Sequence, residues 1–308
     1  MRTAMLTLAA MLVMAGAASA QVAAPLLNPT PILSPSPSNP ATASWDMPSR
    51  VAAAASRTEF DAPAVASPFA KGGSVGALAE YVGDRFAFVA AGQRLKVDAE
   101  PSVGSGSNTQ TSSIVAASVQ FDQTYSVALG QEHLRTENTI PPAGTIDETT
   151  PLLGATVRLG NALYLGMAGG TAKFAPGGGP QVDRGVLRYG IAYAWRDKTG
   201  GLHAEVYADQ RKAGTNGPSV ANGQNATGGT LEVRAGSLFA GYEGRTSKKE
   251  DPSGASTGKD VFTTISVGWV QDPGWGMVLS SNTIDVKDAS GVTVLKAKQL
   301  SLGVSWMF

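Results

Sequence analysis

Gly185-Val186-Leu187-Arg188-Tyr189-Gly190-Ile191-Ala192-Tyr193-Ala194-Trp195-Arg196 is the stretch that decides the fold. In an extended chain Leu187, Tyr189, Ile191, Tyr193 and Trp195 share one face, and Arg188, Gly190, Ala192, Ala194 and Arg196 share the other, because successive strand side chains point to opposite sides. Asp197-Lys198-Thr199-Gly200-Gly201 then has the composition of a turn. Beyond it Leu202, Ala204, Val206 and Ala208 alternate with His203, Glu205, Tyr207, Asp209 and Arg211. The product is a hairpin with a greasy face and a charged face. Strands of this kind, apolar toward lipid and polar toward a lumen, are the unit of a transmembrane barrel.

Runs with the same alternation recur near 73–82, 86–97, 111–121, 125–135, 150–159, 162–172, 227–235, 238–247, 260–271, 275–287 and 296–308. Each approaches or exceeds the ~9–11 residues that a tilted strand needs to cross a bilayer. Short connections, such as Gly83-Asp84-Arg85 and Gly236-Ser237, alternate with longer polar ones near 98–110, 136–149, 174–183, 213–225, 248–259 and 288–295. Barrels of this type have short periplasmic turns and longer external loops, so the alternation assigns the two sides. With the two strands of the opening hairpin the runs make an odd number, whereas a single-chain barrel with both ends periplasmic needs an even one. Ser49 to Phe60 is the available partner, and the expectation is an all-β, antiparallel up-and-down barrel of about fourteen strands. Twelve is the alternative, if the Ala-rich 52–55 stretch belongs to a pore helix and one hairpin is misread.

The termini agree. Met1-Arg2, the apolar run Ala4 to Ala17 and Ala18-Ser19-Ala20 have the order of a secretory signal peptide over 1–20. A Pro-rich segment follows over 21–46, expected as a periplasmic lead or small plug, and 47–308 is expected to be the barrel. At the other end Leu302, Val304, Trp306 and Phe308 alternate with Ser301, Gly303 and Ser305. Ser301, Gly303, Trp306 and Phe308 resemble the C-terminal sorting signal of Gram-negative outer-membrane proteins. That resemblance implies insertion into outer-membrane lipid by the barrel assembly machinery. Asn39-Pro40-Ala41, before the first strand, is similar to an element of the long-chain fatty-acid transporter (FadL-like) family, which implies fourteen strands and hydrophobic cargo. The chain is shorter than that pattern, and the family's ligand site does not carry over residue by residue.

Aromatic residues mark depth: Tyr81, Tyr125, Trp195, Trp269 and Trp275 flank short turns and are expected to form a periplasmic girdle. Alternation turns Glu80, Glu132, Arg158, Arg188, Arg196, Glu205, Asp209, Arg211, Glu232, Arg234, Glu243 and Arg245 toward the lumen. A lipid-facing Arg or Lys at mid-depth costs roughly 2–4 kcal/mol, so inward charge is required of any barrel. These residues are either pairs that neutralise one another or a pore wall, and their mixed signs disfavour a strongly selective filter. Acids at 147–148 read as solvated loop charge.

Composition excludes several functions. The chain has no Cys, hence no disulfide, thiolate metal site or Cys nucleophile, and its 24 basic and 24 acidic residues offer no nucleic-acid surface. Of the two histidines, His133 has Glu132 beside it but on the opposite face, and His203 shares a face with Glu205 at a spacing long for a direct bond. Gly258-Lys259 precedes Asp260 and a strand, so it is no phosphate loop. No catalytic residue, metal or cofactor is expected. The expected function is passive, weakly selective diffusion of small solutes through a polar lumen. A FadL-like transporter of hydrophobic compounds and a non-conducting structural or adhesive barrel are the alternatives.

Overall fold

The computed structural model describes residues 49–62, 70–99, 106–122, 124–139, 144–196, 199–271 and 274–308. The expected signal peptide, Pro-rich lead and Asn39-Pro40-Ala41 lie outside the described residues. The strands are β1 (Arg50–Asp61), β2 (Ala70–Val82), β3 (Phe86–Ala99), β4 (Ser107–Phe121), β5 (Tyr125–Asn138), β6 (Gly144–Leu159), β7 (Leu163–Pro176) and β8 (Val182–Arg196). They continue as β9 (Gly200–Arg211), β10 (Gly214–Asn216), β11 (Ser219–Ala221), β12 (Gly223–Ala235), β13 (Leu238–Glu250), β14 (Ser256–Val270), β15 (Gly274–Lys287) and β16 (Thr293–Met307). Fourteen of them close an antiparallel barrel, while β10 and β11 form a separate hairpin within the connection between β9 and β12.

Closure depends on β1. It pairs with β16 from Arg50 opposite Met307 to Asp61 opposite Lys296, and with β2 from Arg50 opposite Glu80 to Phe60 opposite Ala70. The Ala-rich 52–55 stretch is therefore part of a wall strand, and the strand number is fourteen. A closed sheet leaves no edge, so every strand has a neighbour on both sides, as a hydrocarbon environment demands of backbone polar groups.

Strand ends at the short turns fall where the apolar alternation stops, but ends at the long connections run further than the sequence reading placed them. β6 begins at Gly144 rather than near 150, β12 at Gly223 rather than near 227, and β14 at Ser256 rather than near 260. Thr, Ser and Gln extend a ladder as readily as apolar residues once a strand has left the lipid, because the backbone supplies the bonds. One reading is overturned as a result: Glu148 is not solvated loop charge but a buried inward residue of β6.

Two of the tight loops repeat. In Asp251-Pro252-Ser253-Gly254-Ala255 and Asp288-Ala289-Ser290-Gly291-Val292 the Asp Oδ1 accepts from the Ser backbone N–H, the Ser hydroxyl and the N–H four residues on, at 2.6–3.0 Å. Gly254 and Gly291 both sit at φ +86°, a left-handed conformation suited to glycine.

The outward face is apolar over the middle of the wall, with Leu129, Leu153, Ile191, Val206, Ile265, Leu279 and Leu302 exposed. Near the short turns it carries Tyr81, Phe86, Phe121, Tyr125, Trp195, Trp269, Trp275, Trp306 and Phe308, all exposed. Trp275 and Trp306 meet edge-on with centroids 4.9 Å apart, and Tyr81 and Phe86 lie 5.6 Å apart. An apolar belt this continuous is a surface for lipid rather than water.

Candidate functional site

The inward faces of the strands differ around the barrel. On β7 the inward positions Gly166, Ala168, Gly170 and Ala172 are small, and they leave room for long side chains from both sides. Arg184 and Arg188 on β8 and Arg211 on β9 reach over them toward Glu132 on β5 and Glu148 on β6. Arg188 donates to both Glu132 oxygens, with Nη2 to Oε2 at 2.7 Å, and its Nε donates to Asp209 at 3.1 Å. Arg211 donates to Glu132 at 3.3 Å and to Glu148, which also accepts from Arg184. Arg184 lies over the Phe174 ring, its guanidinium carbon 5.5 Å from the centroid, and donates to the Asn222 carbonyl at 2.7 Å. Three guanidiniums and three carboxylates thus form one lattice without net charge. Gly170 belongs to the same construction: a Cβ there would stand 1.8 Å from the Pro151 carbonyl oxygen, so the backbones of β6 and β7 meet too closely for any side chain.

Below the lattice, cross-strand register gathers further acids. Glu205 on β9 and Glu243 on β13 both oppose Thr230 on β12, and Glu232, two residues along β12, opposes His203. Tyr207 donates its hydroxyl to Glu243 at 3.0 Å. Its ring lies over Gly228, where a Cβ would come within 2.6 Å of it. His203 is 2% exposed, and its Nε2 stands 3.5 Å from Glu205 without a hydrogen bond to either ring nitrogen. Arg245 is two residues from Glu243 on the same face.

At the short-turn end the arginines tie down the structure instead. Arg158 donates to the Asn161 carbonyl at 2.8 Å and covers the Tyr164 ring, and Arg234 donates to the Gly236 carbonyl at 2.5 Å. Arg50, which the alternation had not singled out, pairs with Glu80 at 2.9 Å and is 2% exposed. The backbone of Arg196 ends β8, and its side chain lies outside the described residues.

The opposite wall is different in kind. Toward the loop end Phe60, Leu95, Val97, Phe262, Ile284, Val286 and Leu295, from β1, β3, β14, β15 and β16, form one buried apolar cluster inside the barrel. Beneath it runs a neutral relay: Asn282 donates to Gln299 at 2.9 Å, Gln299 to the Ser56 hydroxyl at 2.7 Å, and Ser56 shares a hydrogen bond with Ser74 at 2.7 Å. The relay crosses four strands, β15, β16, β1 and β2. Near the short turns Phe239, Val270, Val278 and Met307 make a second inward apolar cluster.

The sequence missed the long-range partners. Glu148 and Arg184 were hidden by the early end assigned to their strands. The apolar cluster was hidden because alternation treats an inward Phe or Leu as an interruption. On the outer surface His133 pairs with Asp147 on β6 at 3.0 Å, across the strand rather than with its chain neighbour.

No protein-family model matches the chain, and no curated protein matches it. Solved structures do. The fold is similar to the CymD monoaromatic hydrocarbon channel, with a TM-score of 0.54 and 10% identity over 88% of this chain and 91% of that one. It is similar to a FadL homologue of Pseudomonas aeruginosa, with 0.53 and 12% identity over 90% and 96%. It also resembles the toluene transporter TbuX of Ralstonia pickettii, with 0.50 and 12% over 88% and 92%. At these identities the likeness is one of fold: a closed fourteen-stranded barrel of the outer-membrane kind.

Proposed function

We propose that the protein is a Gram-negative outer-membrane channel for small solutes of low polarity, taken up at the loop end and passed along the uncharged wall. The observation that carries this reading is the buried apolar cluster of Phe60, Leu95, Val97, Phe262, Ile284, Val286 and Leu295 within the barrel. An aqueous pore has no use for seven apolar side chains at its mouth, whereas a hydrophobic solute is held by apolar lining with a few polar groups for orientation. The hydrocarbon and toluene transporters of similar fold support the same cargo class.

The charged wall fits this reading because its ions are consumed by one another. Of the residues expected to line a pore, Arg188, Asp209 and Arg211 bind one another or nearby acids, and Arg158 and Arg234 hold turns. Glu205, Glu232, Glu243 and Arg245 remain as the polar group of the lower lumen. The loop end is external, the aromatic residues beside the short turns form the periplasmic girdle, and Ser301, Gly303, Trp306 and Phe308 are the sorting signal read by the assembly machinery. The signal peptide over 1–20 is removed on export. No catalytic role is assigned.

The weakly selective aqueous pore is the second reading, favoured by Glu205, Glu232 and Glu243 around His203, none of which forms an ion pair with an arginine among the described residues. Two measurements, one on the refolded chain and one in cells, separate them. In planar bilayers a hydrophobic channel shows no steady ohmic conductance, and in intact cells toluene uptake falls when the gene is deleted. Stable conductance that rises with salt, together with unchanged toluene uptake, would replace the first reading by the second.

A further inference from the structure

We propose that the outer face of β13, β14 and β15 binds a phosphate-bearing lipid of the surrounding leaflet through Lys248, Lys259 and Lys287. Register sets these residues in one row: Lys248 lies opposite Lys259, and Lys259 opposite Lys287. All three point outward, away from the inward pair Lys249–Asp260. Like charges directly opposite on one sheet face repel, so such a row is costly unless an anion lies over it.

Several other outward cations of the loop-end rim stand beside an acid, and Arg94, which makes no ion pair among the described residues, opposes Val75 and Thr111 rather than another cation. Arg57 pairs with Glu59 at 3.3 Å, Lys96 with Asp98 at 3.0 Å and Arg135 with Glu137 at 2.8 Å, and Lys173 opposes Asp183. Among the described residues none of the three row lysines makes an ion pair. Acids do stand near: Asp285 lies two residues before Lys287 but opposes Lys296, and Glu250 lies beyond the bulge that follows Lys249. On β16 Lys296 opposes Asp61 and Asp285 and Lys298 opposes Glu59, whereas the row of Lys248, Lys259 and Lys287 has no acid directly opposite it.

Position identifies the ligand as a lipid. Down the outer face of β14 the order is Lys259, Val261, Thr263, Ile265, Val267, Trp269, and down β15 it is Lys287, Asp285, Thr283, Ser281, Leu279, Met277. Past Val261 and Asp285, which lie next below the lysines, hydroxyl and then hydrocarbon zones follow, an order that matches a phosphate headgroup, its ester or sugar region and its acyl chains. Clustered lysines at a membrane surface contribute roughly 1 kcal/mol each toward anionic lipid, or about fivefold in preference.

The inference rests on the membrane location proposed above, and its test keeps the two apart. Because the chain has no Cys, Thr283→Cys gives a single labelling site beneath the row. The labelled full-length chain is inserted into phosphatidylcholine vesicles with or without phosphatidic acid carrying a quencher, and insertion is checked by heat-modifiable migration on gels. The row predicts quenching beyond random mixing, reduced on the order of a hundredfold in preference by K248Q/K259Q/K287Q, retained in the triple Arg variant, and not displaced by soluble glycerol phosphate. Equal quenching in the triple Gln variant, or displacement by soluble phosphate, overturns the lipid site while leaving the barrel reading intact. Failure of the parent chain to insert would sink both.

Discussion

Between β5, β6, β8 and β9 the long-range inward contacts join ions to ions; across β15, β16, β1 and β2 they join amides and hydroxyls, with the Arg50–Glu80 ion pair confined to the short-turn end. The difference follows from what surrounds them. The small inward residues of β7 open space through which arginine can reach an acid across intervening strands, and charge-assisted bonds of that reach are strong and directional. The second wall carries bulky apolar groups above its relay, and beside them a charge would lose hydration without gaining a partner. One wall is rigid and self-neutralised. The other packs hydrocarbon into the barrel interior.

Breaking the charged wall should have the largest effect. Arg188→Met leaves the half-buried Glu132 and the buried Asp209 without their main partner, a change that costs up to about 3–5 kcal/mol when a buried pair is split. Urea unfolding of the folded barrel in lipid should show a correspondingly lower midpoint. Adding Glu132→Gln and Asp209→Asn should recover most of the loss; if it does not, the lattice is not the source of the stability.

The apolar wall responds next. Phe60→Ala empties the middle of the cluster, and large-to-small changes of this type cost about 3 kcal/mol or more when the site cannot collapse. Toluene uptake should fall with little change in ion conductance, the reverse of what Arg188→Met does if breaking the lattice admits water. A smaller effect is expected from Gln299→Leu, which strands Asn282 and Ser56 without their shared partner at about 1–3 kcal/mol. Thermal denaturation in detergent reads it, and a neutral result would show that the relay is satisfied by water.

The smallest effect is local. The Ser290 hydroxyl, followed by the backbone amides of the loop, holds the Asp288 carboxyl below the usual carboxylate range, and Asp251 is held down by Ser253 in the same way. A depressed folded pKa gives a contribution that is complete above the ordinary carboxylate value and is lost as pH falls through the folded value. Protection of the Ser290 and Val292 amides, taken relative to their intrinsic exchange rates, should therefore hold at neutral pH and be lost as pH falls below the ordinary carboxylate value of about 3.9. Asp288→Ala should lack that protection at every pH.

Much of this was written in the local pattern. Period-two alternation in Gly185–Arg196 and its neighbours gave the class, thirteen of the strands and the short-turn boundaries, since one slipped residue would turn grease into the lumen and charge into lipid, and the parity of a closed barrel pointed to the fourteenth. The same pattern turned Arg188, Asp209 and Arg211 inward. It had no means of saying whom they would meet, because Glu132 and Arg211 are separated by 79 residues and meet only across the closed wall.

The sequence alone thus determined a two-faced strand repeated around a cylinder, a property of each segment by itself. Tertiary structure decided the rest: that Ala52–Ala55 closes the wall, that Glu148 lies inside, that ions collect on one side and hydrocarbon on the other. Those outcomes depend on strand register summed around the whole ring, and no single strand contains that information.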